Sequence, residues 1–187
     1  MEKIMDVMEA MRGRRSVRGF NGEPLAAECL RELERVAAES ADPFGGSVTV
    51  RARRFPPRGE SRPGTYGVIS GARDFFLLAY GADAASALSA GFRFEGVVLE
   101  AWRLGLGTCW LGGTFRGSDF DGGEEWPAGE ELRVVCPVGV PAKLSLRERL
   151  MRAALGSKHR ELFGKLFFDG SFGVPLSAGS RFGEALE

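Results

Sequence analysis

The sequence predicts an α+β fold in which helices flank a mixed β-sheet. The chain has 187 residues, which suits one well-packed domain and is too short for two of full size. Its composition, with 44% apolar and 27% charged residues, is that of an ordinary globular protein. Segments of helical and strand character follow one another in the order α, α, β, β, α, β, β, α, and a tail comes last.

Two amphipathic helices are expected near the N-terminus. In the first, apolar residues recur at the helical spacing i, i+3, i+4 and i+7, at Ile4, Val7, Met8 and Met11. This helix is expected to end near Gly13. In the second, LAAECLRELERVAAES, a single apolar stripe is formed by Leu30, Leu33, Val36 and Ala37. Pro24 lies just before this segment and suits the entrance of a helix.

Two strands and a long helix are expected in the middle of the chain. SVTVRARRF alternates apolar and polar residues, as a half-buried strand does. ARDFFLLAYG is a continuous apolar run bounded by turn residues, which favours a central strand. The window SALSAGFRFEGVVLEAWRLGLG carries apolar residues at helical spacing and predicts a long, largely buried helix.

The later segments complete the sheet. TCWLGG resumes strand character, and LRVVCPVGVPAK predicts the last strand. LSLRERLMRAAL is amphipathic, has arginines on its outer face and predicts a final helix. The remaining residues carry several aromatic side chains but show weak periodicity. We therefore expect the sheet to end before the C-terminal tail.

Charge and composition argue against several classes of function. Lys plus Arg (25) equals Asp plus Glu (25), so no overall field would attract nucleic acid or an acidic membrane. No run approaches the ~20 apolar residues of a membrane span, and MEKIMDVMEAM lacks the apolar core of a signal peptide. The three cysteines lie far apart and predict reduced core residues. A cytoplasmic protein is therefore expected.

Residues suited to metal binding or nucleophilic catalysis are scarce. His159 is the one histidine in the sequence, and its polar surroundings predict a solvated side chain. No GxSxG, HExxH or DxDxDG pattern occurs. We expect no metal site and no catalytic side chain, so an enzyme with this sequence would take its chemistry from an organic cofactor.

The glycine-rich stretch GLGTCWLGG has two interpretations. It closes a predicted helix and opens a strand, whereas a dinucleotide-binding GxGxxG motif follows a strand and opens a helix. In the first interpretation, Gly105 or Gly107 ends the helix in the left-handed conformation. In the second, the missing side chains of Gly112 and Gly113 let a flat ligand lie on the backbone and reach an N–H group. The spacing alone favours neither.

The segment RGRRSVRGF crowds four arginines near the N-terminus. Around a helix end, Arg18 would lie four residues from Arg14 and three from Arg15, so these side chains could converge on one phosphate. The Ser16 hydroxyl would add a neutral contact. The alternative is a solvated basic face in a chain whose cations are mostly arginine. No aromatic residues are interleaved to stack bases, which favours a single phosphate over nucleic acid.

Taken together, these motifs resemble the nitroreductase family of flavin enzymes. The family pattern RRSxRxF is matched at Arg14, Arg15, Ser16, Arg18 and Phe20. FEGVVLEAWRLGLGTCWLGGTF is similar to the family's central helix and following strand, and PVGVPAK is similar to its closing strand. GTYGVISGARDFF, SLRERL and LFFDGSFGVPL resemble a branch in which one chain holds two related halves.

The resemblance implies a mainly antiparallel sheet flanked by helices, with FMN bound in a cleft shared by two subunits or two halves. The residues that would hold the phosphate and the pyrimidine edge of the flavin are Arg14, Arg15, Ser16 and Arg18. The residues whose backbone would lie beside the isoalloxazine ring and donate to N5 are Trp110, Leu111, Gly112 and Gly113. Flavin N5 would then carry the chemistry, with no catalytic side chain and no metal.

The implied activity is a ping-pong transfer of hydride from NADH or NADPH to a nitroaromatic, a quinone or a similar small acceptor. The implied assembly is a homodimer or a pseudo-dimer, with no nucleic acid or membrane partner. Residues 1–164 would form the FMN-binding domain. Residues 165–187 would form a C-terminal tail, either the start of a second half or an extension that embraces the other subunit.

The sequence departs from the family pattern at two places. The common PSxxNxQPW segment is replaced by SADPFGGSVTVRARRF, which offers no Asn or Gln to the flavin. The chain also stops at FGEALE, so it is expected to lack most of the second half of the two-half branch. Two alternatives to an active oxidoreductase follow. One is a degenerate flavin- or anion-binding module without turnover, and the other is one half of a two-part assembly.

Overall fold

The computed structural model describes residues 2–57, 64–123, 125–143, 162–177 and 179–180. The chain divides into two compact units, Met1–Leu144 and Ser145–Glu187. The helices of the first unit are α1 (Glu2–Gly13), α2 (Ala27–Glu39), α3 (Ala84–Arg103) and α4 (Gly117–Asp121). Its strands are β1 (Val48–Arg54), β2 (Asp74–Tyr80), β3 (Gly107–Thr108) and β4 (Glu131–Gly139).

The four strands form one sheet in the order β1-β2-β4-β3. Each neighbouring pair is antiparallel. Two parallel bridges outside these strands, from Ser16 to Thr108 and from Gly19 to Ser70, make the complete sheet mixed. The predicted α+β class with a mainly antiparallel sheet flanked by helices is confirmed.

Strand β2 lies at the centre of the core, as its unbroken apolar run predicted. Its residues are buried from Asp74 to Ala79 because both faces of the sheet are covered. On one face, Phe76 packs edge-on against Phe94 of α3, with ring centroids 5.6 Å apart. On the other face, Phe75 packs edge-on against Phe120 of α4 at 5.3 Å. Aromatic contacts therefore fix helices to both sides of the sheet.

Helix α3 has a recognisable signal at each end. Asp83 caps its N-terminus by accepting a hydrogen bond from the backbone N–H of Ser86 at 2.9 Å. Two residues after Arg103, Gly105 takes the left-handed conformation with φ +74°. This confirms for Gly105 the helix-ending role considered for the glycine-rich stretch, since a residue with a Cβ is strained there.

Strand β3 is shorter than the predicted strand TCWLGG. It covers only Gly107 and Thr108, and pairing with β4 resumes in the same register at Leu111 and Val135. Between these two paired regions, that register places Pro137 opposite Cys109. Proline has no N–H to donate, so the ladder is interrupted at this point. The strand predicted from the sequence is therefore present in direction and register, with a gap in its hydrogen bonds.

Replacing Gly107 with alanine is expected to lower the free energy of unfolding by about 1–3 kcal/mol. A Cβ at this position would stand 2.6 Å from the Cβ of Val17, closer than packed carbon atoms approach. Gly112→Ala is the matched control, because a Cβ there meets no described atom within 4 Å and should change stability by less than ~0.5 kcal/mol. Urea denaturation measures both variants, and equal stabilities would contradict this packing argument.

The described part of the second unit contains a short helix, α5 (Phe163–Leu166), and an antiparallel bridge between Phe168 and Pro175. The rings of Phe163 and Phe167 pack with their centroids 4.9 Å apart. The helix predicted from LSLRERLMRAAL and the predicted solvated His159 lie outside the described residues. The domain boundary after residue 164 stays a prediction. In the part of the chain that the structure describes, no helix has the length and apolar character needed to cross a membrane.

Candidate functional site

The arginine-rich segment is extended, because α1 ends at Gly13. Ser16 forms a parallel bridge with Thr108, and the N–H of Val17 donates to the carbonyl of Thr108 at 2.8 Å. The helical spacing considered for these arginines is therefore wrong. The segment lies along the outer edge of β3, where the backbone hydrogen bonds of an extended chain can be satisfied.

Arg14 stands at the end of α1, where its N–H donates to the carbonyl of Ala10 at 2.8 Å, and Ser16 and Arg18 follow in the extended part. All three act on the buried thiol of Cys109. Burial has the largest influence and raises the pKa of this thiol, whereas Arg18, a hydrogen bond with Ser16, and Arg14 each act to lower the pKa. The net rise keeps the thiol protonated at neutral pH, so Cys109 is a core residue beside the site and not a nucleophile.

The arginines differ in their partners. Arg14 forms an ion pair with Glu95 of α3, with Nε and Oε1 3.0 Å apart. Neither Arg15 nor Arg18 has a carboxylate partner among the described residues. The backbone of Arg18 is fixed, because its carbonyl accepts a hydrogen bond from the N–H of Ser70 at 2.8 Å. A rigid backbone thus carries two guanidinium groups that the described carboxylates do not neutralise.

Leu111 turns its backbone polar groups toward β4. Its N–H donates to Val135 and its carbonyl accepts from Val135, each at 3.0 Å, and the side chain is only 3% exposed. Peptide groups are planar and trans, so the N–H of Gly112 must point away from β4, opposite to the carbonyl of Leu111. The carbonyl of Trp110 points outward for the same reason. Thus Gly112, and not Leu111, offers a donor at the outer edge.

Gly112 and Gly113 form an open surface. Both are exposed, neither has a positive φ, and a Cβ on either would meet no described atom within 4 Å. The N–H of Gly112 has no acceptor among the described residues. Backbone conformation and packing of the described residues therefore do not require these glycines. Their geometry suits a flat ligand that approaches the backbone closely.

The arginine segment and this open surface share one edge of the sheet. At Thr108 the outward carbonyl is covered by the N–H of Val17, and further along the same edge the N–H of Gly112 points outward. The two motifs lie about 90 residues apart in the sequence and are brought together by the Ser16–Thr108 bridge. Positive side chains and a backbone N–H that has no acceptor among the described residues therefore lie along one edge, an arrangement suited to a flat molecule with an anionic group.

Trp110 and Glu95 extend the site toward α3. The indole N–H of Trp110 donates to Oε2 of Glu95 at 3.2 Å, while Oε1 of Glu95 contacts Arg14. Glu95 was not identified from the sequence. A single acidic residue inside the apolar segment GFRFEGVV was the only signal, and helical periodicity does not reveal which neighbours it contacts.

The described residues contain no group of three or more His, Cys, Asp or Glu side chains arranged to hold a metal ion. Burial raises the pKa of the Cys136 thiol, as it does that of Cys109, and the structure gives both as free cysteines. The chemical groups collected along this edge are therefore binding groups: guanidinium groups, a backbone N–H group and a hydroxyl group.

Several solved structures that share this fold are described as nitroreductases or nitroreductase family proteins. A nitroreductase with bound FMN from Bacteroides fragilis has a TM-score of 0.59 at 15% identity, over 75% of this chain and 90% of that chain. A nitroreductase family protein from Clostridium difficile 630 has a TM-score of 0.62 at 14% identity, over 88% and 98%. A "putative nitroreductase" in complex with FMN from Desulfovibrio desulfuricans has a TM-score of 0.61 at 20% identity, over 89% and 97%. At these identities the likeness shows the fold.

Membership in a family rests on the sequence itself. Comparison with curated proteins finds no match. The family model described as "Putative TM nitroreductase" matches residues 6–161, which include the arginine segment, the whole sheet and the Trp110–Gly113 stretch. With the matching fold and the site geometry, this match shows that the chain belongs to that nitroreductase family.

Proposed function

We propose that the chain is an FMN-dependent oxidoreductase that takes hydride from NADH or NADPH and passes it to a nitroaromatic, a quinone or a similar small acceptor. The observation that carries this proposal is the shared sheet edge, along which the arginine segment and the outward N–H of Gly112 lie. Family membership supports it, as do the FMN molecules bound in the Bacteroides fragilis and Desulfovibrio desulfuricans structures.

The chemistry of the arginine segment fits the phosphate of FMN. Arg15 and Arg18 have no described carboxylate partner that would compete with an anion. Guanidinium groups bind phosphate through two parallel charge-assisted hydrogen bonds, and the Ser16 hydroxyl can add a neutral one. We therefore assign the phosphate and the pyrimidine edge of FMN to Arg14, Arg15, Ser16 and Arg18.

The open surface fits the flat ring system. The absence of side chains at Gly112 and Gly113 leaves room for a planar molecule against the backbone, and the N–H of Gly112 can donate to a ring nitrogen. Leu111 has both backbone groups and its side chain engaged within the sheet and core, so its part is to hold its neighbours in place. Trp110 contributes an outward carbonyl from the same edge.

Bound FMN supplies the hydride chemistry, and the residues of this chain bind and orient it. A guanidinium group of the arginine segment near the pyrimidine edge would favour acceptance of hydride, because it would stabilise negative charge on the ring. Sheet hydrogen bonds fix the backbone on both sides of the site, so these donors need little reorganisation during the reaction. No side chain is assigned as a general acid or base.

We further propose that the site is completed by a second copy or a second half. Helix α3 carries exposed apolar side chains at Leu88 and Phe92, each 54% exposed, and Phe92 packs against the exposed Phe44 at 5.9 Å. An apolar surface of this kind is suited to association. In this view residues 1–164 form the FMN-binding domain and residues 165–187 an extension or the start of the second half.

The test of the proposed function is FMN binding and turnover by the purified chain. Incubation with excess FMN followed by gel filtration should leave yellow protein with stoichiometric flavin, and NADH or NADPH should then be oxidised steadily when a quinone or nitroaromatic is added. Colourless protein after this treatment would contradict FMN binding. Bound FMN without turnover would instead favour the module that binds flavin but does not catalyse.

Gly112→Ala is expected to weaken FMN binding at least several-fold while leaving the fold intact. A methyl group would occupy the open surface where the ring is proposed to lie, and it meets no other described atom within 4 Å. Flavin fluorescence titration gives the dissociation constant, and urea denaturation confirms that stability is unchanged. FMN binding as tight as in the wild-type protein would place the ring elsewhere.

A further inference from the structure

We propose that Glu95 is a positioning residue that fixes Arg14 and Trp110 relative to each other and so aligns the two parts of the ligand site. This inference rests on the proposed function, because the ligand whose binding it affects is FMN. Glu95 lies in the middle of α3, outside RGRRSVRGF and the Trp110–Gly113 stretch. Its carboxylate contacts a side chain of each motif, Arg14 and Trp110.

The contacts of Glu95 are divided between its two oxygens. Oε1 lies 3.0 Å from Nε of Arg14, and Oε2 accepts the indole N–H of Trp110 at 3.2 Å. A carboxylate on a helix has few rotamers that satisfy two partners at once, so each contact restricts the other. Glu95 therefore fixes the side chains of Arg14 and Trp110 relative to helix α3.

The contact between Glu95 and Arg14 leaves the two terminal guanidinium nitrogens of Arg14 available to an anion. Glu95 engages Nε, and no described hydrogen bond or ion pair occupies the two terminal nitrogens of Arg14. The backbone of Arg14 is held as well, since its N–H donates to the carbonyl of Ala10 at 2.8 Å. An arginine held by its backbone and by Nε loses less side-chain entropy when an anion binds to the terminal nitrogens.

The contact to Trp110 fixes the other part of the site. The indole also packs edge-on against the buried ring of Phe94, with centroids 5.0 Å apart and planes at 87°. The hydrogen bond and the ring contact together define the orientation of the indole. Gly112 follows Trp110 by only two residues in the chain. The fixed indole therefore helps to hold the open surface of Gly112 and Gly113 in place beside α3.

The negative charge of Glu95 makes the proposal testable, because two explanations of its role predict opposite changes in FMN affinity. A carboxylate beside the arginines would repel a phosphate, so a role through charge alone predicts that its removal tightens FMN binding. A positioning role predicts the opposite, because removal frees Arg14 and the indole and adds an entropic cost to binding. The two explanations therefore differ in the direction of the change.

The experiment compares wild-type protein with Glu95→Ala and Glu95→Gln. We expect FMN binding to weaken by about 3–10-fold in Glu95→Ala, the loss of affinity that corresponds to the cost of ordering one flexible side chain on binding. Glu95→Gln keeps one acceptor oxygen and should lie between the other two proteins. In protein without FMN, the indole N–H resonance of Trp110 should shift in Glu95→Ala, which reports the hydrogen bond itself.

The matched control is Glu100→Ala on the same helix. Glu100 pairs with Arg103 at 2.9 Å and contacts neither Arg14 nor Trp110 among the contacts described, so FMN affinity and the Trp110 resonance should stay unchanged. Equal or tighter FMN binding by folded Glu95→Ala would overturn the positioning role, as would an unshifted Trp110 resonance. Failure of wild-type protein to bind FMN would overturn the proposed function itself, an outcome distinguishable from these two.

Discussion

Replacing Arg18 with alanine is expected to raise the dissociation constant of FMN by about 10–100-fold, the effect of losing a charge-assisted contact to phosphate. Arg18 stands on a backbone fixed by Ser70, and its side chain has no carboxylate partner among the described residues. Its guanidinium group is thus not neutralised by any carboxylate of the described residues, and we propose that it binds the phosphate. Flavin fluorescence titration at constant ionic strength measures the change.

The control for Arg18 is Arg31→Ala on α2. Arg31 pairs with Glu28 at 3.0 Å on a well-exposed surface, so its loss removes one positive charge without touching the site. FMN affinity should stay within about 2-fold of the wild-type value, since screening weakens distant surface charges. Comparable losses in Arg18→Ala and Arg31→Ala would show that overall charge and not the shared sheet edge governs binding.

Replacing Arg54 with alanine is expected to lower the free energy of unfolding by about 3 kcal/mol, although 40% of the Arg54 side chain is exposed. Its partner Asp74 is only 1% exposed, and Nε of Arg54 contacts its carboxylate at 2.6 Å. The other carboxylate oxygen accepts the N–H of Leu25 at 2.7 Å. Removing Arg54 leaves the buried carboxylate of Asp74 without its cationic partner. The cost of this unpaired, desolvated charge determines how far the free energy of unfolding falls.

Urea denaturation of Arg54→Ala, Asp74→Ala and the double variant measures this coupling. Once Asp74 is absent, removing Arg54 should cost far less, so the two single effects should add to more than the effect of the double variant. Arg31→Ala again serves as the control and should change stability by less than ~1 kcal/mol. Additive effects in the double variant would show that the pair contributes little to stability.

The candidate site was predicted from the sequence in its parts but not in its geometry. Both motifs, the arginine segment and the WLGG stretch, were identified, because arginine suits the binding of anions and glycine permits close approach to the backbone. Helical spacing for the arginines was wrong, since the segment leaves α1 at Gly13 and pairs with β3. Local periodicity cannot reveal a hydrogen bond to a strand about 90 residues away.

Because local sequence patterns do not show long-range contacts, the sequence did not reveal that Gly112 offers the outward N–H, and it did not identify Glu95. Sequence spacing treats Trp110, Leu111, Gly112 and Gly113 alike, whereas pairing of Leu111 with Val135 directs the N–H of Gly112 outward. Whether Glu95 meets Arg14 and Trp110 depends on how α3 packs against the sheet. Contacts of this kind are set by long-range packing, which a single sequence does not encode in any local pattern.

By itself, the sequence determined the order of the described helices and strands in the first unit except α4, which lies between β3 and β4 where no helix was predicted. It also determined the central position of β2 and the membership of residues 6–161 in the nitroreductase family. These follow from local properties, namely apolar periodicity, turn residues and short motifs. Tertiary structure alone decided that the arginine segment lies on the edge of β3, that Pro137 interrupts the ladder and that Glu95 joins the two motifs. Each of these depends on hydrogen bonds and packing between residues distant in the chain, which form only when the whole sheet is assembled.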